Sequence, residues 1–238
     1  MGDNTPTDQS NEHSDLTGKI RKRMLQVVVQ LLILAATLFI SSGRLNWTWA
    51  WIYLGVGIGI LAVNTLVMPP ELIAERGRTD KMDKAWDRVI TTINILPSLG
   101  APVVAGLDER FGWSPQFSPE IHLIGLALMV LGQGLFTWSM MSNRFFSTSV
   151  RIQVERYHTV ATGGPYRAVR HPGYVGYILS AFAMPLALGS LWALIPAGLT
   201  MCLLVVRTAF EDKTLLEELD GYTEYAQQTQ YRLLPGIW

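Results

Sequence analysis

YVGYILSAFAMPLALGSLWALIPAGLTMCLLVV, residues 174–206, is thirty-three residues without a formal charge. A helix crossing a hydrocarbon core of about 30 Å needs about 20 such residues. The stretch is too long for one crossing and short for two. Gly189-Ser190 breaks it in the middle, so it reads as a tight helical hairpin over residues 174–188 and 191–206. Four further uncharged stretches precede it, over residues 24–40, 47–68, 89–107 and 121–141, the last carrying one histidine. Each reads as a single span. Buried helices of a water-soluble protein would carry charged stripes at helical spacing, and these stretches have none. The expected fold is an all-α integral membrane protein with about six transmembrane segments.

The composition agrees. Of 238 residues, 49% are hydrophobic and only 16% charged, against roughly 25% charged in an average soluble domain. Nineteen Lys+Arg balance nineteen Asp+Glu, which excludes a strongly basic nucleic-acid binder and an acidic disordered chain. A lone cysteine, Cys202, excludes an internal disulfide framework, a multi-cysteine zinc site and an iron–sulfur cluster; at mid-span it reads as a small packing residue.

The basic residues set the expected orientation. With six spans and both termini cytoplasmic, seventeen of the nineteen Lys and Arg fall inside, leaving Arg44 and Arg110 outside. That is the bias the positive-inside rule requires, whereas five spans would put Arg207, Lys213 and Arg232 outside. Residues 1–18 are polar and read as a disordered tail, not a signal peptide. Residues 19–141 form a four-span region and residues 142–238 the region that carries chemistry. Trp47, Trp49, Trp51 and Tyr53 crowd one end of span two, as interfacial aromatics do.

Two expected cytoplasmic segments are richer than linkers. The first contains HTVATGGPYRAVRHPGYVGY (158–177); the second runs from RTAFED (207–212) to GYTEYAQQTQYRLLPGIW (221–238). Gly163-Gly164-Pro165 supplies a tight turn, Tyr166 and Tyr174 amphipathic walls, and Arg170-His171 donors. His171-Pro172 opens a helix, where proline is tolerated because its missing N–H had no intrahelical partner. The free N–H groups and the positive dipole end there suit an anion such as a carboxylate; the plain alternative is a capped helix with an interfacial histidine. Arg207 and Glu211, four apart, share one helical face, and charges at an apolar helix end are costly unless paired or used. Asp212, Glu217, Glu218, Asp220 and Glu224 read as a mostly solvated face of an amphipathic tail helix, with Tyr222, Tyr225 and Tyr231 packing it onto the body. There is no G-x-G-x-x-G after a strand, no phosphate loop and no H-E-x-x-H. His122 and His13 have no metal partner at ligand spacing, so no metal is expected.

These motifs resemble the isoprenylcysteine carboxyl methyltransferases, whose wider group includes membrane phospholipid methyltransferases. The shared pattern is a histidine, then Gly-x-Tyr, Arg-His-Pro-x-Tyr-x-Gly, Arg-x-x-x-Glu-Glu and a Tyr-x-x-Tyr tail ending in Leu-Pro. It covers residues 143–238, about 40% of the chain. The resemblance implies S-adenosylmethionine bound on the cytoplasmic side without a Rossmann domain. Carried over residue by residue, the cofactor is held by His158, Thr159, Val160, Ala161, Tyr166, His171, Pro172, Gly173, Tyr174 and Glu211, with Gln153 matching an upstream glutamine. Arg207 matches the arginine beside the acceptor, and Arg207 and Glu211 are the implied catalytic pair. Asp212 stands where the family has a second glutamate, and Gly173 fills a variable slot.

The residue types suit methyl transfer from a sulfonium. Tyrosine faces attract the cation, and a carboxylate acceptor needs only an orienting cation, for which Arg207 offers a bidentate clamp. An amine acceptor would need a base, for which Glu211 or Asp212 is placed. The expected partners are the lipid bilayer and a lipidic or small apolar methyl acceptor, with no nucleic acid. Phospholipid amine N-methylation is the alternative acceptor chemistry. A nicotinamide-dependent sterol-type reductase, similar at its C-terminal end, is the lesser alternative. A transporter would require ionisable groups at mid-span, and there are none.

Overall fold

The structure is a computed structural model that describes residues 6–76 and 84–238. The described residues contain eight α-helices and no strand: α1 (Pro6–Ser42), α2 (Thr48–Val67), α3 (Pro70–Glu75), α4 (Ala85–Phe111), α5 (Pro119–Met141), α6 (Pro172–Leu188), α7 (Leu194–Glu218) and α8 (Tyr222–Gln228). Five are long and apolar enough to cross a membrane: Leu16–Ser42 of α1, α2, α4, α5 and α7. Their outward faces carry Leu25, Leu32, Leu66, Leu96 and Leu131, large apolar side chains that only a lipid-like surround would accept in this number.

The expected sixth segment is α6, whose 17 residues make it a shorter apolar helix, about 26 Å at 1.5 Å per residue. It begins two residues before the expected start because Pro172 takes its first helical position. It ends at Gly189, whose φ of +77° is the left-handed conformation favoured by glycine, and a Cβ there would meet His122 at 2.8 Å. The following helix starts later than expected, at Leu194, and runs past the apolar stretch to Glu218, since nothing breaks it before the turn at Gly221 (φ +79°). The expected tail helix is thus divided between α7 and α8. At the other end, α1 begins at Pro6, so the polar segment expected to be disordered as far as Gly18 enters a helix; residues 1–5 lie outside the described residues.

Small residues decide how the helices meet. Gly125 and Gly132, seven apart on one face of α5, touch α6 so closely that a Cβ would lie 2.3 Å from the Ala187 nitrogen and 2.7 Å from the Gly176 carbonyl oxygen. Gly176, Ser180, Ala183 and Ala187 form the matching face of α6. Between apolar helices in lipid, association rests on such close packing because no water is expelled. The main core gathers Leu38, Trp47, Ala50, Tyr53, Leu54, Leu126, Met129, Ala183 and Leu188. Trp47 and Tyr53 therefore face the core, while Trp51 is half-exposed and Trp49 stacks on His122 at 4.1 Å. Cys202 points outward instead of packing inside.

Candidate active site

Loop 142–171, the start of α6, the second half of α7 and α8 enclose a cavity of about 270 Å³. It is bordered by His158, Thr159, Val160, Ala161, Tyr166, His171, Gly173, Tyr174, Arg207 and Glu211, which brings together ten of the twelve site residues expected from the sequence. Two do not border it. Pro172 is fully buried at the start of α6. Gln153 is also fully buried: its Nε2 donates to the Phe145 carbonyl at 2.6 Å, and its Oε1 accepts from Arg156 Nη1 at 2.6 Å. It shapes the loop that carries His158, whose Nδ1 accepts the Gln153 backbone N–H at 3.2 Å.

The cavity floor lies where α6 meets α7. The Tyr174 hydroxyl donates to Glu211 Oε2, and His171 Nδ1 lies 3.9 Å from Glu211 Oε1. The His171 and Tyr174 rings are near-parallel, 5.8 Å apart, and the Arg207 guanidinium sits 5.4 Å from the Tyr174 ring centre. Gly173 has a steric reason the sequence did not reveal: a Cβ would lie 2.8 Å from the Phe146 ring, which borders the cavity.

The bidentate edge of Arg207, expected to face an acceptor carboxylate, is engaged within the protein. Its Nε and Nη2 donate to the two oxygens of Asp87, at 2.7 and 3.2 Å, and Nη2 also donates to the Thr148 carbonyl at 2.9 Å. Asp87 is buried in the first turn of α4, where the helix dipole favours a carboxylate, and it also accepts the Val150 N–H at 2.9 Å. Nothing in the sequence pairs two residues 120 positions apart.

Asp212 is a correction. Expected on a mostly solvated face, it is fully buried and outside the cavity lining. It accepts from the Tyr222 hydroxyl at 2.9 Å and Arg232 Nε at 2.8 Å, and His171 Nε2 lies at 3.3 Å. Arg170 Nε lies within 3.3 Å without hydrogen-bond alignment. One carboxylate thus ties α6, α7, α8 and the C-terminal segment together. That segment also accepts two backbone N–H groups, Arg170 on the Tyr231 carbonyl and His171 on the Arg232 carbonyl, both at 2.9 Å. A residue one position from Glu211 points about 100° away around the helix, which separates the two acidic roles.

Tyr222 and Tyr225 pack α8 onto the body, as expected, and also border the cavity. Burial, then the Asp212 carboxylate, pushes the Tyr222 phenol far above its ordinary value, and burial pushes Tyr225 up to about 12, so both stay neutral donors. Burial, reinforced by Arg151 and Arg156, pulls the His158 imidazole from 6.5 down to about 4, so it is uncharged at neutral pH. Among the described residues the site therefore joins aromatic faces, neutral imidazole and one cavity-facing carboxylate, a donor set that fits a cationic sulfonium with a polar nucleoside and amino-acid body.

Residues 121–220 match the phospholipid methyltransferase family. Two rice proteins, each named a probable protein-S-isoprenylcysteine O-methyltransferase, from Oryza sativa subsp. indica and subsp. japonica, are 26% identical to this chain over 111 residues. The aligned part is 45% of this chain and 58% of each relative, so the chain spans little more than half the length of those relatives. Both matches agree with the family resemblance carried by the His-Pro and Arg-x-x-x-Glu motifs. The family match begins at Ile121 and so takes in the whole apolar run of α5, which the motifs alone did not reach.

Proposed function

We propose that the protein is an integral membrane methyltransferase using S-adenosylmethionine, acting on a lipidic or small apolar acceptor, with prenylcysteine-type carboxylate the leading class. The observation that carries this reading is the placement of Glu211, His171, Tyr174 and Arg207 around one cavity at the end of an apolar helix bundle. In the same reading α6 is a sixth crossing, paired with α7 as a hairpin, both termini are cytoplasmic, and the cavity opens to the cytoplasm. The positive-inside bias supports that orientation.

When bound, S-adenosylmethionine supplies an electrophilic methyl group on a sulfonium, and the sulfur leaves as a neutral thioether once the acceptor has taken the methyl. The protein's part is alignment and exclusion of water. Tyr166 and Tyr174 offer π faces to a cation. Glu211, held by the Tyr174 hydroxyl, anchors the donor's polar body together with His171 and the backbone of residues 158–161. Arg207, locked in place by Asp87, brings positive field to the acceptor side. With an amine acceptor, Glu211 is the group placed to take a proton, and phospholipid amine N-methylation is the alternative chemistry.

Calorimetry on the purified protein tests the reading. S-adenosylhomocysteine should bind, and Glu211→Ala or His171→Ala should remove binding while Arg207→Ala spares it and suppresses turnover. Binding of a nicotinamide dinucleotide alone would replace the methyltransferase reading with a reductase.

A further inference from the structure

A second cavity, of about 220 Å³, lies between α1, α2, α3 and α5. It shares two residues with the first, Arg76 and Phe136, so the two spaces meet at one wall. Its apolar side is Met24, Val27, Ile60, Leu61, Met68 and Ile73, on helices whose outer faces are apolar and exposed. Its polar side holds two cations, Arg23 and Arg76.

Neither cation has a carboxylate partner among the described residues. Arg23 Nη1 makes one long contact, 3.4 Å to Gln26 Oε1. Arg76 Nη1 abuts the Met140 sulfur, its guanidinium lies 5.2 Å from the Phe136 ring centre, and its buried Nε has no hydrogen-bond partner. Asn94 Oδ1, on the first cavity's wall, is likewise buried without a partner. Burial and then Arg23 lower Arg76 to about 10; both side chains are part-buried and border the same cavity. The other arginines around the first cavity each face a carboxylate, Arg207 that of Asp87, Arg151 those of Glu75 and Glu155, and Arg170, whose Nε also lacks a hydrogen bond, that of Asp212 at 3.3 Å. A part-buried cation left unmatched carries a desolvation cost, and an anion brought in by a ligand offsets it.

We propose that this second cavity is the acceptor's anion site, in which Arg23 and Arg76 hold the carboxylate or phosphate of an amphiphile whose hydrocarbon lies along the Met24–Ile60–Ile73 side. Arg76, on the shared wall, sets how far that anion lies from the methyl donor. The bound amphiphile's role as acceptor rests on the methyltransferase reading; the anion site does not. Arg76 takes the part that Arg207, engaged by Asp87, does not perform.

The test uses the full chain in a non-ionic detergent, with N-acetyl-S-farnesylcysteine, its neutral methyl ester, phosphatidic acid and neutral diacylglycerol as probes, and S-adenosylhomocysteine as reference. Wild type should prefer an anionic probe over its neutral counterpart by about tenfold or more, the scale of a charge-assisted hydrogen bond. Arg76→Gln and Arg23→Gln should each erode that preference and Arg76→Lys should restore part of it, while Arg23→Gln, at a residue that does not border the first cavity, should keep S-adenosylhomocysteine affinity within about twofold, which also reports an intact fold. Preference for the cysteine acid identifies a carboxylate source, and preference for the phospholipid a phosphate source. No anion preference in wild type, or an undiminished one in the double Gln variant, overturns the proposal. Loss of S-adenosylhomocysteine binding in wild type with the preference intact would instead remove the methyltransferase reading and leave the anion site standing.

Discussion

Two buried carboxylates stand on α4, Asp87 in its first turn and Asp108 in its last, and their surroundings are opposite in kind. Twenty-one residues separate them, roughly 30 Å along the helix and close to the thickness of a hydrocarbon core. Asp108 is met by neutral donors: the Ser114 N–H at 2.7 Å, the Ser114 hydroxyl at 2.6 Å and the Ser190 hydroxyl at 2.5 Å. Ser190 also accepts the Ala193 N–H at 3.2 Å, so this end staples the α6–α7 turn to α4. Asp87 is met by a guanidinium, and that guanidinium borders a cavity. A carboxylate satisfied by fixed neutral donors closes a structure. One matched by a cation beside an open space holds that cation in position for a ligand.

The largest effect should come from breaking the ionic end. Asp87→Ala leaves Arg207 without its counter-charge and the Val150 N–H without its acceptor; a loss of about 3 to 5 kcal/mol is expected, read as a fall in thermal midpoint, with turnover nearly abolished. Asp108→Ala should cost less, about 2 kcal/mol, by freeing two serine hydroxyls and one N–H, and S-adenosylhomocysteine affinity should not change. Equal losses of turnover in the two variants would erase the distinction between the ends. Arg207→Lys sharpens the same point: charge stays but the two-pronged contact goes, so about 1 kcal/mol of stability and a larger share of turnover should be lost.

The smallest effect is a pH slope confined to the ionic end. His158 is folded with its value near 4, below the ordinary 6.5, so the unfolded chain takes up its proton first as pH falls. Stability from this group is therefore complete above about 6.5 and is lost progressively toward about 4. Thermal midpoints measured across that window should decline more steeply for wild type than for His158→Gln. Parallel curves would mean that His158 does not carry the slope.

Much of the bundle was readable because hydropathy is local: a run of uncharged residues long enough to span declares itself wherever it folds. Arg207 and Glu211 were readable for a similar reason, since four residues along a helix put two side chains on one face. Partners across the chain were not. Asp87 is matched to Arg207 by the crossing of α4 and α7, and Asp212 changed from an expected solvated acid to a buried hub because α7 continued and α8 folded back over it. Gln153 was matched to a site by motif, yet the fold spends both ends of its amide on loop structure.

The sequence by itself determined the all-helical class, the apolar runs long enough to cross a membrane and the segments that border the first cavity, because each depends on composition or on spacing within a turn or two. Only the tertiary structure decided which charges cancel. Arg207 and Arg151 are answered by carboxylates far along the chain, while Arg23 and Arg76 border one cavity without such a partner among the described residues. Charge pairing depends on distances of a few ångströms and on burial, and neither is set until the helices have packed.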